Sequence, residues 1–291
     1  MVLPGFYYHF MKFNYIFRKN SQGATTQHDE KSTQPDEISC TTGTAKYGNA
    51  RNGMFFYAWF EAMHTRIDSV ICDKNEACCL AVIENVISEI RRIEKLADRF
   101  QSDSEISRLN QLASLHAITV SDEMFAIISE CINYFHQTAG AFDITIQSFN
   151  NYRKGIHDLE LNSTSKSVFF RNPNVQLDLC GFIKGYALDR IIALFYEEGI
   201  ANALINMGNS SIAALGDHPN GKGWKITHPS EPTQSITLFN ECLSSSGNSA
   251  NHLHIFDPST GQPAACGSIQ TIITPTATEG EVKATAMCAR K

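Results

Sequence analysis

Three observations predict an α+β domain. Apolar residues recur at three- and four-residue steps through the first half of the chain, the spacing of amphipathic helices. Short runs rich in β-branched residues, separated by turn clusters, fill the second half. Helices come mostly first and strands mostly later, without the regular alternation of repeated βαβ units. The expected arrangement is one two-lobed domain, with its helices in the first half and mainly antiparallel strands in the second. Of 291 residues, 43% are hydrophobic, enough for a full core. The 24 basic and 30 acidic residues leave a net charge of −6, which argues against a general nucleic-acid binder. No run approaches the ~18 apolar residues of a membrane-spanning helix.

The first 17 residues are apolar and aromatic but are broken by Pro4, His9 and Lys12, and they lack the organisation of a signal peptide. Residues 19–53 hold almost no large apolar side chain, a composition that predicts disorder. The expected division is therefore a disordered extension over 1–53 and a folded domain over 54–291, opening at Met54. The nine cysteines are odd in number and show no zinc-like C-x-x-C pair. They read as single, buried thiols, which weakly favours the cytoplasm.

From Met54 the pattern is globular. Residues 55–72 (FFYAWFEAMHTRIDSVIC) alternate as two strands around a turn. Leu80, Ile83, Val86, Ile87, Ile90, Ile93 and Ala97 trace one helix face over 76–98. Ser104 caps a short helix, a further helix opens near Ser121, and Gly140 is placed to end it. A third long helix follows Gly185 and stops at Gly199. The strands NALINM, SIAAL, WKITH, SITLF, CLSSS and SIQTIIT come after it, divided by turns such as DHPNGKG and DPSTGQP.

Five segments carry candidate chemistry. In LDLCGFIKGYALD (177–189), Asp178 leads into a turn holding Gly181 and Gly185 with Lys184 between them. Free backbone N–H groups beside a cation suit a phosphate, although the glycines also suit a plain tight turn. His254 in HIFDPSTGQP could serve as a base or simply as a structural histidine in a turn. In TATEGEVKATAM, Glu281 and Thr285 lie four apart, at the exposed first turn of a helix begun near Thr278. Such a pair can bind a hard cation or merely suit the helix dipole. RFQSDSEISRLN and AGAFDIT read locally as a capped helix and a helix end.

In this order and spacing the segments resemble the FAD:protein FMN transferase (ApbE) family over roughly residues 54–291. The resemblance rests on AMHTRID, RFQSDSEISRLN, AGAFDIT, LDLCGFIKGYALD, NALINMGNSSIAALG, SSSGN, HIFDPSTG and the Glu281/Thr285 pair. It implies a magnesium-dependent enzyme that splits FAD, joins FMN through a phosphoester to a Ser or Thr of an acceptor flavoprotein, and releases AMP. Such acceptors belong to redox complexes. An FAD pyrophosphatase and a non-catalytic FAD-binding protein are the alternatives.

Carried over by motif, Met63, Phe100, Ala141, Phe142, Asp143, Asp178, Lys184 and Phe256 would contact FAD. Magnesium would be held by the Gly181 carbonyl, Glu281 and Thr285, with Ala284 at a further ligand position. Lys184 would neutralise phosphate charge and His254 would take the acceptor's proton.

The chain departs from the family pattern in several places. Glu281 replaces the usual aspartate, His64 replaces the glycine of M-G-T, and GNSS stands where G-G-D/N is common. Asn209 can take a left-handed backbone, which softens that last change. The SANHL stretch is short, and family members extend further beyond the position of Glu281. Relatives also imply a periplasmic or membrane-associated site as the alternative to the cytoplasm.

Overall fold

The alternating run at 55–72 forms the hairpin its pattern predicts, and the rest of the domain is assembled around it. The computed structural model describes residues 43–50, 53–72, 74–229, 231, 233–249 and 253–290. The chain begins with strands β1 (Gly43–Ala50), β2 (Gly53–Ala62) and β3 (Thr65–Cys72). Helices α1 (Glu76–Ala97) and α2 (Glu105–Leu112), strand β4 (Ile118–Thr119) and helix α3 (Asp122–Gln137) follow. Next come β5 (Leu159–Asn162), β6 (Ser167–Phe170) and helix α4 (Cys180–Glu197). The strands β7 (Ala203–Met207), β8 (Ser211–Leu215), β9 (Trp224–Thr227), β10 (Ser235–Leu238), β11 (Glu241–Ser246) and β12 (Gln270–Thr274) precede the final helix α5 (Ala277–Ala289).

Seven strands make one sheet in the order β1-β2-β3-β7-β8-β11-β12, antiparallel at every step. Alternation puts Phe56, Ala58 and Phe60 of β2, Ile67 and Ile71 of β3, and Ile205 and Met207 of β7 on one face. That face packs against Val82, Val86, Ile90 and Ile93 of α1 and against Leu188, Ile191 and Phe195 of α4. A second core joins Leu109, Met124, Ile128, Val168 and Phe182 with Val282 and Ala286 of α5. Ile183 and Tyr186 of α4 touch both cores, and α5 also reaches both, through Ala277 on one side and Val282 and Ala286 on the other. No helix among the described residues is long and apolar enough to cross a membrane.

The helix signals acted where the sequence places them. Ser104 Oγ accepts from Ser107 N–H (3.1 Å) and Ser121 Oγ accepts from Met124 N–H (3.1 Å), each relieving an orphan donor. Gly140 and Gly199 take φ values of +81° and +66° at the helix ends.

Four expectations are corrected. Gly43–Ala50 form a strand within the stretch whose composition predicts disorder, because pairing with β2 supplies the ordering that its own side chains lack. The readings for residues 1–42 lie outside the described residues. Gly181 and Gly185 are not in a turn: α4 begins at Cys180 and includes both. A small antiparallel sheet, β4-β6-β5, also lies among the helices that precede β7, its strands of two to four residues too short to show a period. Finally, Cys266 and Cys288 are not single thiols but a disulfide, with Cα atoms 5.1 Å apart. Of the others, Cys72, Cys79, Cys131 and Cys242 are buried thiols as expected, whereas Cys180 is exposed.

Candidate active site

The site is built where α4 and α5 meet the β7–β8 and β2–β3 turns. Met63 and His64 form a two-residue hairpin turn with φ of +51° and +56°, a left-handed geometry that explains a glycine preference at position 64. The Met63 N–H donates to the Glu94 carboxylate of α1. Gly208 of the β7–β8 turn lies against this hairpin, its N–H donating to Arg66 O (3.0 Å). A Cβ on Gly208 would fall 2.2 Å from Thr65 Oγ1, so the close approach requires glycine. Asn209 takes φ +61°, the left-handed backbone expected of it.

This turn delivers two serines. Ser210 Oγ accepts from Lys184 Nζ (2.8 Å), and Ser211 Oγ donates to Glu281 Oε2 (2.6 Å). Lys184 Nζ is 3.3 Å from Glu281 Oε1. Glu281 is not on an exposed first turn: α5 starts at Ala277, and this places Glu281 one turn further in, only 4% exposed. Thr285 Oγ1 lies 3.5 Å from Ser246 Oγ. A Cβ on Gly181 would sit 3.5 Å from Thr285 Oγ1 and 3.4 Å from the Phe142 ring, so these three residues are neighbours. Ser244, paired across the sheet with Ser211, keeps a buried Oγ that finds no hydrogen-bond partner among the described residues.

The flavin-pocket candidates converge on the same corner. Asp178 N–H donates to Ile144 O (2.7 Å), joining the AGAFDIT segment to the start of α4. Asp178 Oδ1 accepts from Cys180 N–H (2.9 Å), and its Oδ2 lies 3.4 Å from Arg99 Nε. Arg99 in turn stacks 4.7 Å over the ring of Phe100, which is 68% exposed. The His64 ring meets Phe100 edge-on at 6.2 Å. Ala141 and Phe142 are buried. Burial pushes the Asp143 carboxyl above its ordinary value, against the opposing pull of Thr145, whose N–H and hydroxyl donate to Oδ1 at 2.7 and 2.6 Å.

Two further candidates come from the segment that follows β11. His254 is exposed on the loop after β11, and half-buried Phe256 bridges to Pro263 across that loop. Ala284 is fully buried and has no side-chain donor atom, so its side chain can offer no ligand.

The sequence missed the parts that hold the site together. Asp189 caps α5: its Oδ1 accepts from Ala277 N–H (2.7 Å), and its Oδ2 accepts from Thr278 N–H (2.9 Å) and Thr278 Oγ1 (2.5 Å). A Cβ on Gly185 would fall 2.5 Å from Ala277 O, so this glycine lets the two helices touch. Only the shared motif that ends at Asp189 could have hinted at its role. Ser210 and Ser211 carried no signal beyond that of a turn.

A family model for the ApbE family matches residues 63–291. The FAD:protein FMN transferase of Chlamydia muridarum is 30% identical over 200 residues, 59% of this chain and 62% of that protein. The FAD:protein FMN transferase of Klebsiella pneumoniae is 26% identical over 247 residues, 71% of this chain and 70% of its own. Among solved structures, the apo flavinyl transferase ApbE of Pseudomonas stutzeri aligns with a TM-score of 0.73 at 18% identity, over 84% of this chain and 88% of that one. The ApbE protein of Thermotoga maritima gives 0.70 at 22% identity, over 81% and 86%. Those structures share the α+β fold. The chain spans 62% of the length of the similar proteins of Chlamydia muridarum and Chlamydia trachomatis. With most of its length matched by one family model, the chain belongs to the ApbE family.

Proposed function

We propose that the protein transfers FMN from FAD to a Ser or Thr hydroxyl of an acceptor flavoprotein, releasing AMP. One observation carries the reading: a buried carboxylate, a lysine and several hydroxyls meet where two helices touch, in a chain of this family. Glu281, Thr285, Ser246 and the orphaned Ser244 hydroxyl offer oxygen alone, the donor chemistry that a hard divalent cation requires. A set with a single carboxylate fits magnesium, which draws its remaining ligands from water and phosphate. Gly181, a neighbour of Thr285, would add its carbonyl to the same set. Bound there, magnesium would supply charge neutralisation on the pyrophosphate.

The chain's own residues supply the rest. Lys184, poised between Ser210 and Glu281, turns its ammonium to a phosphate oxygen. Asp178, Asp143 and the rings of Phe100, Phe142 and Phe256, with Met63, hold the flavin nucleotide in line. His254 takes the proton from the acceptor hydroxyl as its oxygen bonds to the FMN phosphorus. The pyrophosphate P–O bond breaks as that bond forms, and AMP leaves with the electron pair. Positioning and charge are what such transfers demand of a protein.

The test incubates the purified protein with FAD and Mg²⁺, with and without a domain bearing a Ser/Thr flavinylation site. AMP release that depends on the acceptor and on Mg²⁺, with an FMN-sized mass gain on the acceptor, supports the proposal. AMP and free FMN without acceptor would make the protein an FAD pyrophosphatase. FAD bound but uncleaved would make it a binding protein.

A further inference from the structure

We propose that Asn248 is the positioning residue that fixes the His254–Phe256 segment relative to β11 and α5, and so sets where the acceptor hydroxyl is deprotonated. The inference rests on the transferase reading above. A side-chain amide has two N–H donors and one oxygen with two lone pairs. Asn248 uses all four. Its Nδ2 donates to Ile255 O (2.8 Å) and Ala264 O (3.0 Å). Its Oδ1 accepts from His254 N–H (3.1 Å) and Ile255 N–H (3.0 Å).

The loop it grips is stiff in its own right. Ala264 N–H donates to Ile255 O and Asp257 N–H to Gln262 O, both at 2.9 Å, while Phe256 bridges Pro263. The Asp257 carboxylate closes the tip by accepting from Ser259 N–H (2.8 Å) and Ser259 Oγ (2.7 Å). A stiff loop moves as one body, so its attachment decides where His254 stands.

Among the described residues the loop is attached in three places, and these differ in kind. Ile255, Ala264 and Cys266 pack against Cys288 and Ala289 at the end of α5, and the Cys266–Cys288 disulfide ties the outgoing end of the loop, just beyond Ala264, covalently to that helix. Gly261 rests against the Arg153 guanidinium at the far tip, where a Cβ would collide at 1.6 Å. Asn248 holds the base of the loop by four directional bonds. It stands two residues beyond Ser246, the β11 residue whose hydroxyl faces Thr285. One amide therefore links the candidate base to the candidate metal ligands.

Two variants test this. Asn248→Ala removes all four bonds, whereas Asn248→Asp keeps the volume and both acceptor bonds but loses the two donations. Each is assayed with FAD, Mg²⁺ and an acceptor domain for kcat and for KM of FAD, and by amide exchange of residues 253–264 in the protein alone. Misplacing a catalytic group by about an ångström predicts a roughly 10- to 100-fold loss in kcat, with KM for FAD held within about threefold. Exchange at Ile255 should quicken in Asn248→Ala, whereas exchange at Ala264 should quicken in both variants.

Unchanged exchange would overturn the anchoring itself. Faster exchange with wild-type kcat would overturn the link to catalysis. A general loss of protection, with KM and kcat failing together, would reduce Asn248 to a structural residue. Wild-type protein that releases no AMP would instead overturn the transferase reading, a distinct result.

Discussion

Helix α4 carries two charged junctions of opposite design. Toward α1 and α3, Arg92 and Arg190 both reach Glu89 (2.9 and 3.1 Å), Arg92 also reaches Glu123 (2.8 Å), and Tyr186 Oη donates to Glu123 (2.6 Å). These arginines are 45% and 46% exposed, so water shares the network. Toward α5 there is a single pair, Lys184 and Glu281, whose carboxylate side chain is only 5% exposed. Exposed ion pairs stabilise little and tolerate loss. A buried carboxylate is costly to desolvate and is weak support for a fold. The wet junction therefore fastens helices, whereas the dry one holds a carboxylate where stability alone gives it no reason to be.

Substitution at the dry junction should have the largest effect. Glu281→Gln keeps the volume and removes the carboxylate of the candidate metal set, so acceptor-dependent AMP release should fall roughly 100- to 1,000-fold. Circular dichroism establishes that the variant is folded. Activity within tenfold of wild type would break the contrast between the two junctions.

Gly185→Ala sharpens it through packing. An exposed helical Gly→Ala gains stability, but here the new methyl meets Ala277 O at 2.5 Å. Overpacking should cost about 1–3 kcal/mol in urea unfolding. A stabilised variant would mean that α4 and α5 do not need to touch.

Asp189→Ala removes the carboxylate that caps the Ala277 and Thr278 N–H groups of α5, leaves Thr276 at the N-cap, and should cost about 1 kcal/mol by the same measurement. It should also raise the Mg²⁺ concentration needed for half-maximal activity, because the capped helix carries Glu281 and Thr285. An unaltered Mg²⁺ requirement would separate the cap from the metal site.

The smallest effect belongs to the wet junction. Hydrogen bonds from Arg92, aided by Arg190, pull the Glu89 carboxyl down to about 2. A lowered carboxyl stabilises the fold above the unfolded value of about 4.3 and loses that contribution as pH falls toward 2. Because its partners are nearly half exposed, Glu89→Gln should cost only about 0.5–1 kcal/mol at pH 7. The gap between wild-type and variant urea midpoints should close between pH 4.5 and 2. A gap that stays constant across that range would show that charge is not what Glu89 contributes.

What the sequence determined by itself is local. The period of two at 55–72, the helical spacing at 76–97, the caps at Ser104 and Ser121 and the glycines at helix ends all act within a few residues, and they appear where they were read. The order of its motifs also pointed to the candidate site, and Lys184, Glu281, Gly181 and Thr285 do come together. Tertiary structure decided everything that depends on partners distant along the chain. Asp189 reaches a helix 88 residues on, Gly185 is needed for a contact no neighbour announces, and Cys266 finds Cys288 across 22 residues. The strand Gly43–Ala50 likewise owes its order to β2 rather than to its own composition. Glu281 looked like an exposed first-turn acid, because only the sheet stacked on α5 makes its position buried. Backbone preference and amphipathic period act over one or two turns, whereas burial and close approach exist only once the strand order brings distant segments together.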